Sequence, residues 1–167
     1  MNYKKMLEKV INDIEKLGYE LYPITEIKEM TAVGTYGSCR FNPVSKTCKI
    51  KINNRLNYED TMNTIYHEVC HAIVGAEGHG RVWKKAAREV YKNYGYNIQR
   101  TDSHKLYDKE GNELKNEDIY KYKVVCSDCG NEYNYMKKTK AIRSPEYYRC
   151  TCGGVLHSYT IDDKLIA

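Results

Sequence analysis

Between positions 67 and 79 the chain carries His67, Glu68, His71 and His79, placing three of its five histidines within thirteen positions. Histidines at i and i+4 share one face of a helix, so His67 and His71 can offer two imidazoles to a single zinc ion. Glu68, one step along, can reach water activated by that metal from the side and serve as general base. Two protein ligands leave such a site too open. His79, beyond Gly75 and Gly78, is the only nearby histidine placed to return as the third. The competing reading is a pair of satisfied helix histidines beside a surface acid. The helix is expected from periodicity independently of the motif, and a third histidine follows a turn that glycine permits, so the metal reading is preferred.

A second constellation lies near the C-terminus, where Cys126-x-x-Cys129 and Cys150-x-Cys152 are separated by twenty residues and each pair is followed by glycine. Two such knuckles around a hairpin make a zinc ribbon, in which four thiolates close a tetrahedral structural site. A segment of about 40 residues builds little core of its own, so the metal would supply most of its folding energy. The second pair has one intervening residue where ribbons normally have two. His157 is therefore an alternative fourth ligand, with Cys152 preferred. Cys70, inside the histidine-bearing helix, reads as a small apolar packing residue.

The elements that must position these groups are legible in part. Met6, Leu7, Val10, Ile11, Ile14 and Leu17 recur at helical spacing before Gly18, predicting an amphipathic helix over residues 3–17. From 31 to 56, alternating residues around Asn42-Pro43 predict a β-hairpin or two short strands. If Pro43 and Val44 form its loop, Cys39 and Cys48 lie opposite each other, as two reduced thiols in preference to a disulfide. Asn57 is a candidate cap for a second helix, with Glu59 and Asp60 favourably placed for its dipole. Met62, Ile65, Tyr66, Val69, Ile73 and Val74 are its apolar stripe. A third helix is expected from about Arg81 to Tyr94, burying Val82, Trp83, Ala86, Ala87, Val90 and Tyr91 before Gly95. Residues 101–118 are polar and turn-rich, with "KEGN" as a hairpin tip.

At 167 residues the chain has room for one modest domain and a small appendage. The expected division is a domain over 1–104, a linker or exposed hairpin over 105–119 and a ribbon over 120–167. A hydrophobic fraction of 41%, 29% charged residues and a mean hydropathy of −0.73 exclude an overall disordered chain. No apolar run approaches the roughly 20 residues that cross a bilayer, and "MNYKKMLEKV" lacks the apolar block of a secretion signal, so no membrane partner and a cytoplasmic location are expected. In a reducing compartment, seven cysteines argue for metal ligands and thiols rather than disulfides. The net charge of +5 suits a polyanion without requiring one. Arg81 to Arg100 holds six basic residues against one acid, and 137–149 holds five against one. With Tyr133, Tyr135, Tyr147 and Tyr148 available to stack on unpaired bases, these spans are candidates for following a phosphate backbone.

The stretch "HEVCHAIVGAEGHGRVW" resembles the core of the SprT-like metalloproteases, where a His-Glu-x-x-His helix is followed by a Gly-His-Gly turn and an aromatic residue. Upstream, "GSCRFNP" and "KIKINNRL" are similar to the strand pair and approach that precede this helix in the family, and the ribbon fits downstream. The resemblance covers roughly residues 30–156. It implies an α+β fold, a zincin-like minimal protease domain of helices on a small β-sheet followed by a zinc ribbon. It also implies one catalytic and one structural zinc, and a peptidase acting on proteins bound or crosslinked to DNA, single-stranded or at duplex ends. The loop from His71 to His79 is shorter than in the Spartan branch. Two other expectations are kept open: a zinc peptidase with a regulatory target and no DNA dependence, and a non-catalytic nucleic-acid-binding ribbon. No oxyanion donor is identifiable from the sequence, with His104 and several tyrosines as candidates.

Overall fold

A computed structural model of the chain describes residues 1–100 and 104–166, and it separates into two compact units, Met1–Glu113 and Leu114–Ala167. The architecture is mixed α+β with two small sheets. No helix among the described residues is long and apolar enough to cross a membrane.

In the first unit, helix α1 (Tyr3–Lys16) precedes strands β1 (Ile24–Met30), β2 (Gly37–Asn42) and β3 (Thr47–Asn53). Helices α2 (Tyr58–His71) and α3 (Arg81–Tyr94) follow. The sheet order is β1-β3-β2, with β1 parallel and β2 antiparallel to β3, so β2 is an edge strand. Ile50 and Ile52 of β3 supply the apolar side of the sheet. They are buried with Val10 and Ile14 of α1, Met62, Ile65 and Val69 of α2, and Trp83 and Val90 of α3. Helix α2 is thus sandwiched among α1, α3 and the sheet, and its histidine end is fixed by packing rather than by propensity.

The caps explain where these helices begin and stop. Asn57 accepts a hydrogen bond from the Asp60 amide at 2.8 Å, satisfying a free donor at the start of α2. After His71 the chain leaves the helix and is pinned beside the segment that follows α1. The Tyr22 amide donates to Ala72 O at 2.8 Å and the Val74 amide to Glu20 O at 2.9 Å. Gly75 and Gly78 then adopt φ of 81° and 50°, left-handed values that a side chain resists, and the chain turns into α3.

Two expectations need correction. The hairpin loop spans residues 43–46 rather than Pro43 and Val44, because Asn42 Oδ1 accepts the amides of Val44 and Ser45 at 2.9 and 3.2 Å. The register places Cys39 opposite Ile50 and Cys48 opposite Phe41, and both cysteines are free thiols. Tyr91 is exposed, on the outer face of α3, and Val74 lies past the end of α2 and is also exposed.

Beneath α2, Tyr66 is fully buried and donates its hydroxyl to Asp13 Oδ2 at 2.5 Å, while Lys9 Nζ reaches the same oxygen at 2.6 Å. Tyr94 donates to the Asp13 carbonyl at 3.0 Å. Burial alone raises the Asp13 carboxyl. Hydrogen bonds from Lys9 and Tyr66, with the charges of Lys9 and Lys16, outweigh it and hold the group below its ordinary value. A depressed folded-state pKa means the contribution is complete above the unfolded value of roughly 3.9 and is lost as pH falls through the folded one. Thermal melts from pH 7 to pH 2 are expected to show Asp13→Asn less stable by about 1.5–3 kcal/mol at neutrality. The gap should begin to narrow below about pH 4 and close only once pH has fallen through the depressed folded-state value, where the Asp13 side chain is neutral like the amide. A gap independent of pH would contradict the assignment.

In the second unit, β4 (Tyr122–Cys126) is the central strand of an antiparallel sheet of order β5-β4-β6, with β5 at Glu132–Tyr135 and β6 at Leu156–Thr160. Short helices α4 (Asn116–Ile119) and α5 (Lys140–Arg143) complete it. Its core is small: Val124, Cys126, Ile142, Cys150 and Leu156, with tyrosines packed around them.

Candidate functional site

The three histidines come together. His67 Nε2 stands 3.3 Å from His71 Nε2 and 3.1 Å from His79 Nε2. Helix α2 delivers the first two from adjacent turns of one face. The glycine bend returns His79 eight residues later, so a ligand distant along the helix axis arrives at the same point. Zinc bound at about 2.0–2.1 Å in tetrahedral geometry spaces its nitrogen ligands by roughly 3.3–3.4 Å, and the observed separations match that shell.

The donor chemistry fits as well. Metal ligation requires neutral imidazole. Burial first, then the neighbouring charges of His67 and His79, depresses His71 to about 4, with a hydrogen bond to the Gly78 backbone working the other way. His79 is lowered by burial and by the charges of Arg100 and Lys84. Both imidazoles are thereby kept ready to share a lone pair at neutral pH.

Trp83 is the residue whose role the sequence did not disclose beyond core packing. Its indole N–H donates to His67 O at 3.3 Å. Its ring lies edge-on to His67 and His79, with centroids 4.9 and 4.6 Å away, and 5.8 Å from His71. One buried ring therefore backs all three imidazoles. Outer-shell partners of this kind typically govern 10–100-fold in metal affinity. Trp83→Leu is expected to weaken zinc binding at the histidines by that order in a competition titration with a chromophoric chelator, leaving the cysteine site unchanged. Equal affinity in wild type and variant would sink this role.

Glu68 is buried, although it stands beside the ligands on α2. Burial pushes its carboxyl up to about 7, against a hydrogen bond from the Cys39 backbone amide that favours the charged form. A cation in the neighbouring site would pull it back down. The space it occupies exists because position 37 has no side chain. A Cβ there would stand 2.6 Å from Glu68 Oε1 and 2.6 Å from Thr64 Cγ2. Gly37, on edge strand β2, is a site residue that no spacing rule reveals, since its partner is 31 positions away. Cavities open on both sides of the carboxylate. One, of about 250 Å³, is bounded by Tyr36, Gly37, His67, Glu68, Arg100 and His104; the other meets Ser38, Cys39, Phe41 and His71.

In the second unit all four cysteines predicted as ligands converge. Sγ separations are 3.6 Å for Cys126 and Cys152, 3.5 Å for Cys129 and Cys150, and 3.3 Å for Cys129 and Cys152. A tetrahedral zinc at about 2.3 Å would space sulfurs by roughly 3.7 Å, so the cluster fits that ion with slight expansion. The one-residue spacer is accommodated by Gly153 at φ 91° and by Gly154, where a Cβ would stand 2.6 Å from Cys126 Sγ. His157 is exposed on β6 opposite Val125 and does not belong to the group of converging possible ligands. The Tyr133 hydroxyl lies 3.3 Å from Cys150 Sγ, and this contact leads the interactions that lower the Cys150 thiol to about 5. Backbone amides of Asn131 and Gly154 favour the thiolates of Cys129 and Cys152, but the neighbouring sulfurs on balance push both thiols up, so the four sulfurs titrate together and a bound cation would favour the thiolate at each.

The described residues hold two groups able to bind a metal, the three histidines and the four cysteines. In comparison with known proteins, the model of the SprT-like family matches residues 9–104, which takes in the first sheet, the histidine cluster and α3. No curated protein matches the chain.

Proposed function

The chain belongs to the SprT-like family, and from that membership and its histidine site we propose that it is a zinc-dependent endopeptidase acting on proteins bound or crosslinked to DNA. His67, His71 and His79 would hold the catalytic zinc. Cys126, Cys129, Cys150 and Cys152 would hold a second, structural one. The observation that carries the reading is the pairing of three converging imidazoles, two of them on α2, with a buried carboxylate next to His67 on the same helix. Zinc bound there supplies Lewis-acid polarisation of a peptide carbonyl and makes water acidic enough to ionise near neutrality.

The protein's own share of the chemistry is proton handling and shape. Glu68 takes a proton from the attacking water at its carboxylate oxygen and passes it to the departing amine. The bare backbone at Gly37 leaves room for the carboxylate, and the Cys39 amide favours its charged form. Trp83 keeps the three imidazoles in register.

The proposed DNA association is supported by surface chemistry in each unit. The outer face of α3 presents Arg81, Lys84, Lys85, Arg88 and Lys92, all exposed. The ribbon presents Lys137, Lys138, Lys140, Arg143 and Arg149, with Tyr147 82% exposed and free to stack on a base. The test incubates the chain with a DNA-binding protein as substrate, with and without single-stranded DNA, beside a Glu68→Gln control. Cleavage by the wild type alone, stimulated by DNA and diminishing steeply as salt rises, is expected. Cleavage indifferent to DNA would replace the DNA-bound substrate with a target recognised by protein contacts.

A further inference from the structure

We propose that the cleft around Glu68 selects the sequence it cuts, holding an apolar side chain against Phe41 at one end and a carboxylate beside Arg100 at the other. The inference rests on the peptidase reading above and deepens it from the reaction to the substrate.

The two walls of the cleft run side by side. Strand β2 and the loop before it supply one, and helix α2 supplies the other. The cavity bounded by Thr35, Tyr36 and Gly37 on the first wall meets Thr64, His67 and Glu68 on the second. The cavity bounded by Gly37, Cys39 and Phe41 meets Glu68 and His71. Both walls therefore advance together along the sequence, and Gly37 and Glu68 belong to both cavities. A peptide lying in the cleft crosses the carboxylate, with one flank at each end. Phe41 is four residues along β2 from Gly37, roughly 13 Å of extended strand, so its contact falls within about four substrate residues of the bond cut.

The ends differ in chemistry. At one, Phe41 is 43% exposed, with its ring centroid 4.7 Å from that of Tyr22. Ala76 closes that end from the bend after α2. Burial pushes the Cys39 thiol up, so it stays neutral and adds no charge to the lining. An exposed aromatic face held by a second ring favours an apolar guest.

At the other end stand Arg100 and His104. His104 Nδ1 is engaged by Asp60 at 2.9 Å, whereas Arg100 forms no salt bridge with a described residue. Arg100 also borders a second recess with Lys84 and Arg88, and Glu68 is the only acid among the described residues lining either space. An uncompensated guanidinium there matches a substrate carboxylate. A nucleic-acid phosphate would satisfy the same group, but the cavity that Arg100 borders is the one holding His67 and Glu68, where the peptide must lie.

For the test, the full, zinc-loaded chain digests a mixed peptide library with single-stranded DNA present, and mass spectrometry reads the residues around each cut. Wild type, Phe41→Ala, Arg100→Ala and Arg100→Glu are compared at equal zinc content. Wild type is expected to prefer apolar residues on one side of the bond by about tenfold and acids on the other by about three- to fivefold. Phe41→Ala should lose the first preference and keep the second. Arg100→Ala should do the reverse, and Arg100→Glu should turn the preference for acids into one for lysine. Fluorescence anisotropy on the Glu68→Gln chain reads the same selection without cleavage, using labelled Gly-Ser peptides that carry one leucine and one glutamate a few residues apart, in both orders. Glutamine in place of that glutamate should weaken binding by about three- to fivefold, and adding Arg100→Ala should abolish the difference. A flat wild-type profile overturns the proposal, as does a profile that Phe41→Ala or Arg100→Glu leaves unchanged. If Arg100→Ala instead loses DNA stimulation on every peptide alike, Arg100 serves a phosphate and the carboxylate assignment falls. Should the wild type hydrolyse nothing, the peptidase reading fails, and equal binding of the glutamate and glutamine peptides then overturns the selection independently.

Discussion

Glu68→Gln is expected to lower the hydrolytic rate by about 10²–10⁴-fold, the usual contribution of a positioned general base, while zinc content stays at the wild-type level. The substitution keeps the size of the side chain and a hydrogen-bonding oxygen, so the pocket formed by Gly37 and Thr64 is not vacated. What it removes is the capacity to accept and return a proton. Because Glu68 is buried and the neutral amide escapes the cost of desolvating a charge, the variant should melt at or slightly above the wild-type temperature. Lost activity with retained stability is the signature of a functional carboxylate. Equal hydrolysis in wild type and variant, by peptide mapping of products, would remove Glu68 from the chemistry.

The second large effect belongs to the cysteine cluster. Cys126→Ser combined with Cys129→Ser is expected to unfold residues 114–167 and leave the first unit intact. Among the described residues, the hydrophobic core cluster of the second unit has five buried members, and two of them, Cys126 and Cys150, are themselves candidate ligands. Structural zinc contributes apparent binding energies of about 10–16 kcal/mol at neutral pH, more than so small an apolar cluster can replace. Two-dimensional NMR should show collapse of the amide dispersion from β4, β5 and β6, and native mass spectrometry should show one zinc per chain instead of two. A dispersed spectrum for this unit in the double variant would show that its fold does not depend on the metal.

The candidate sites were legible in the sequence to the extent that chemistry fixes spacing. An i, i+4 pair of histidines states its helix, and two close cysteine pairs followed by glycine state their knuckles. Those six side chains, with His79, come together as two groups that could hold a metal. Helix α2 was equally readable, because Asn57 announces its start through a local capping bond. Strand β1 was not. Its residues are half-exposed or exposed, and it is held by backbone pairing to β3, which leaves little apolar alternation to read. Gly37 and Trp83 escaped for a related reason. One matters through the side chain it lacks against Glu68, the other through a ring set against three imidazoles, and neither contact follows from local spacing. The cysteine register in the hairpin depended on a single side chain, Asn42, capping two loop amides and lengthening the loop by two residues over the expected one.

The pattern on α2 also accounts for the division of labour around the site. Its inward faces meet α1 and the sheet through Met62, Ile65, Tyr66 and Val69, all fully buried, so the helix cannot rotate without dismantling the core. The remaining face carries Thr64, His67, Glu68 and His71, which border the cavities, and Asp60, which pairs with His104. Rigidity on one side is what lets the other side hold charged and polar groups in fixed positions.

The central claim, that the three histidines hold the metal on which peptide hydrolysis depends, is tested most directly by adding zinc back to the metal-free chain while following cleavage of denatured casein with single-stranded DNA present. Hydrolysis should be absent without metal and rise as the histidine site fills. It should stay absent in His67→Ala and His79→Ala even when the cysteine cluster has taken up its ion. Hydrolysis by the metal-free chain, or by either histidine variant at the wild-type rate, would contradict it.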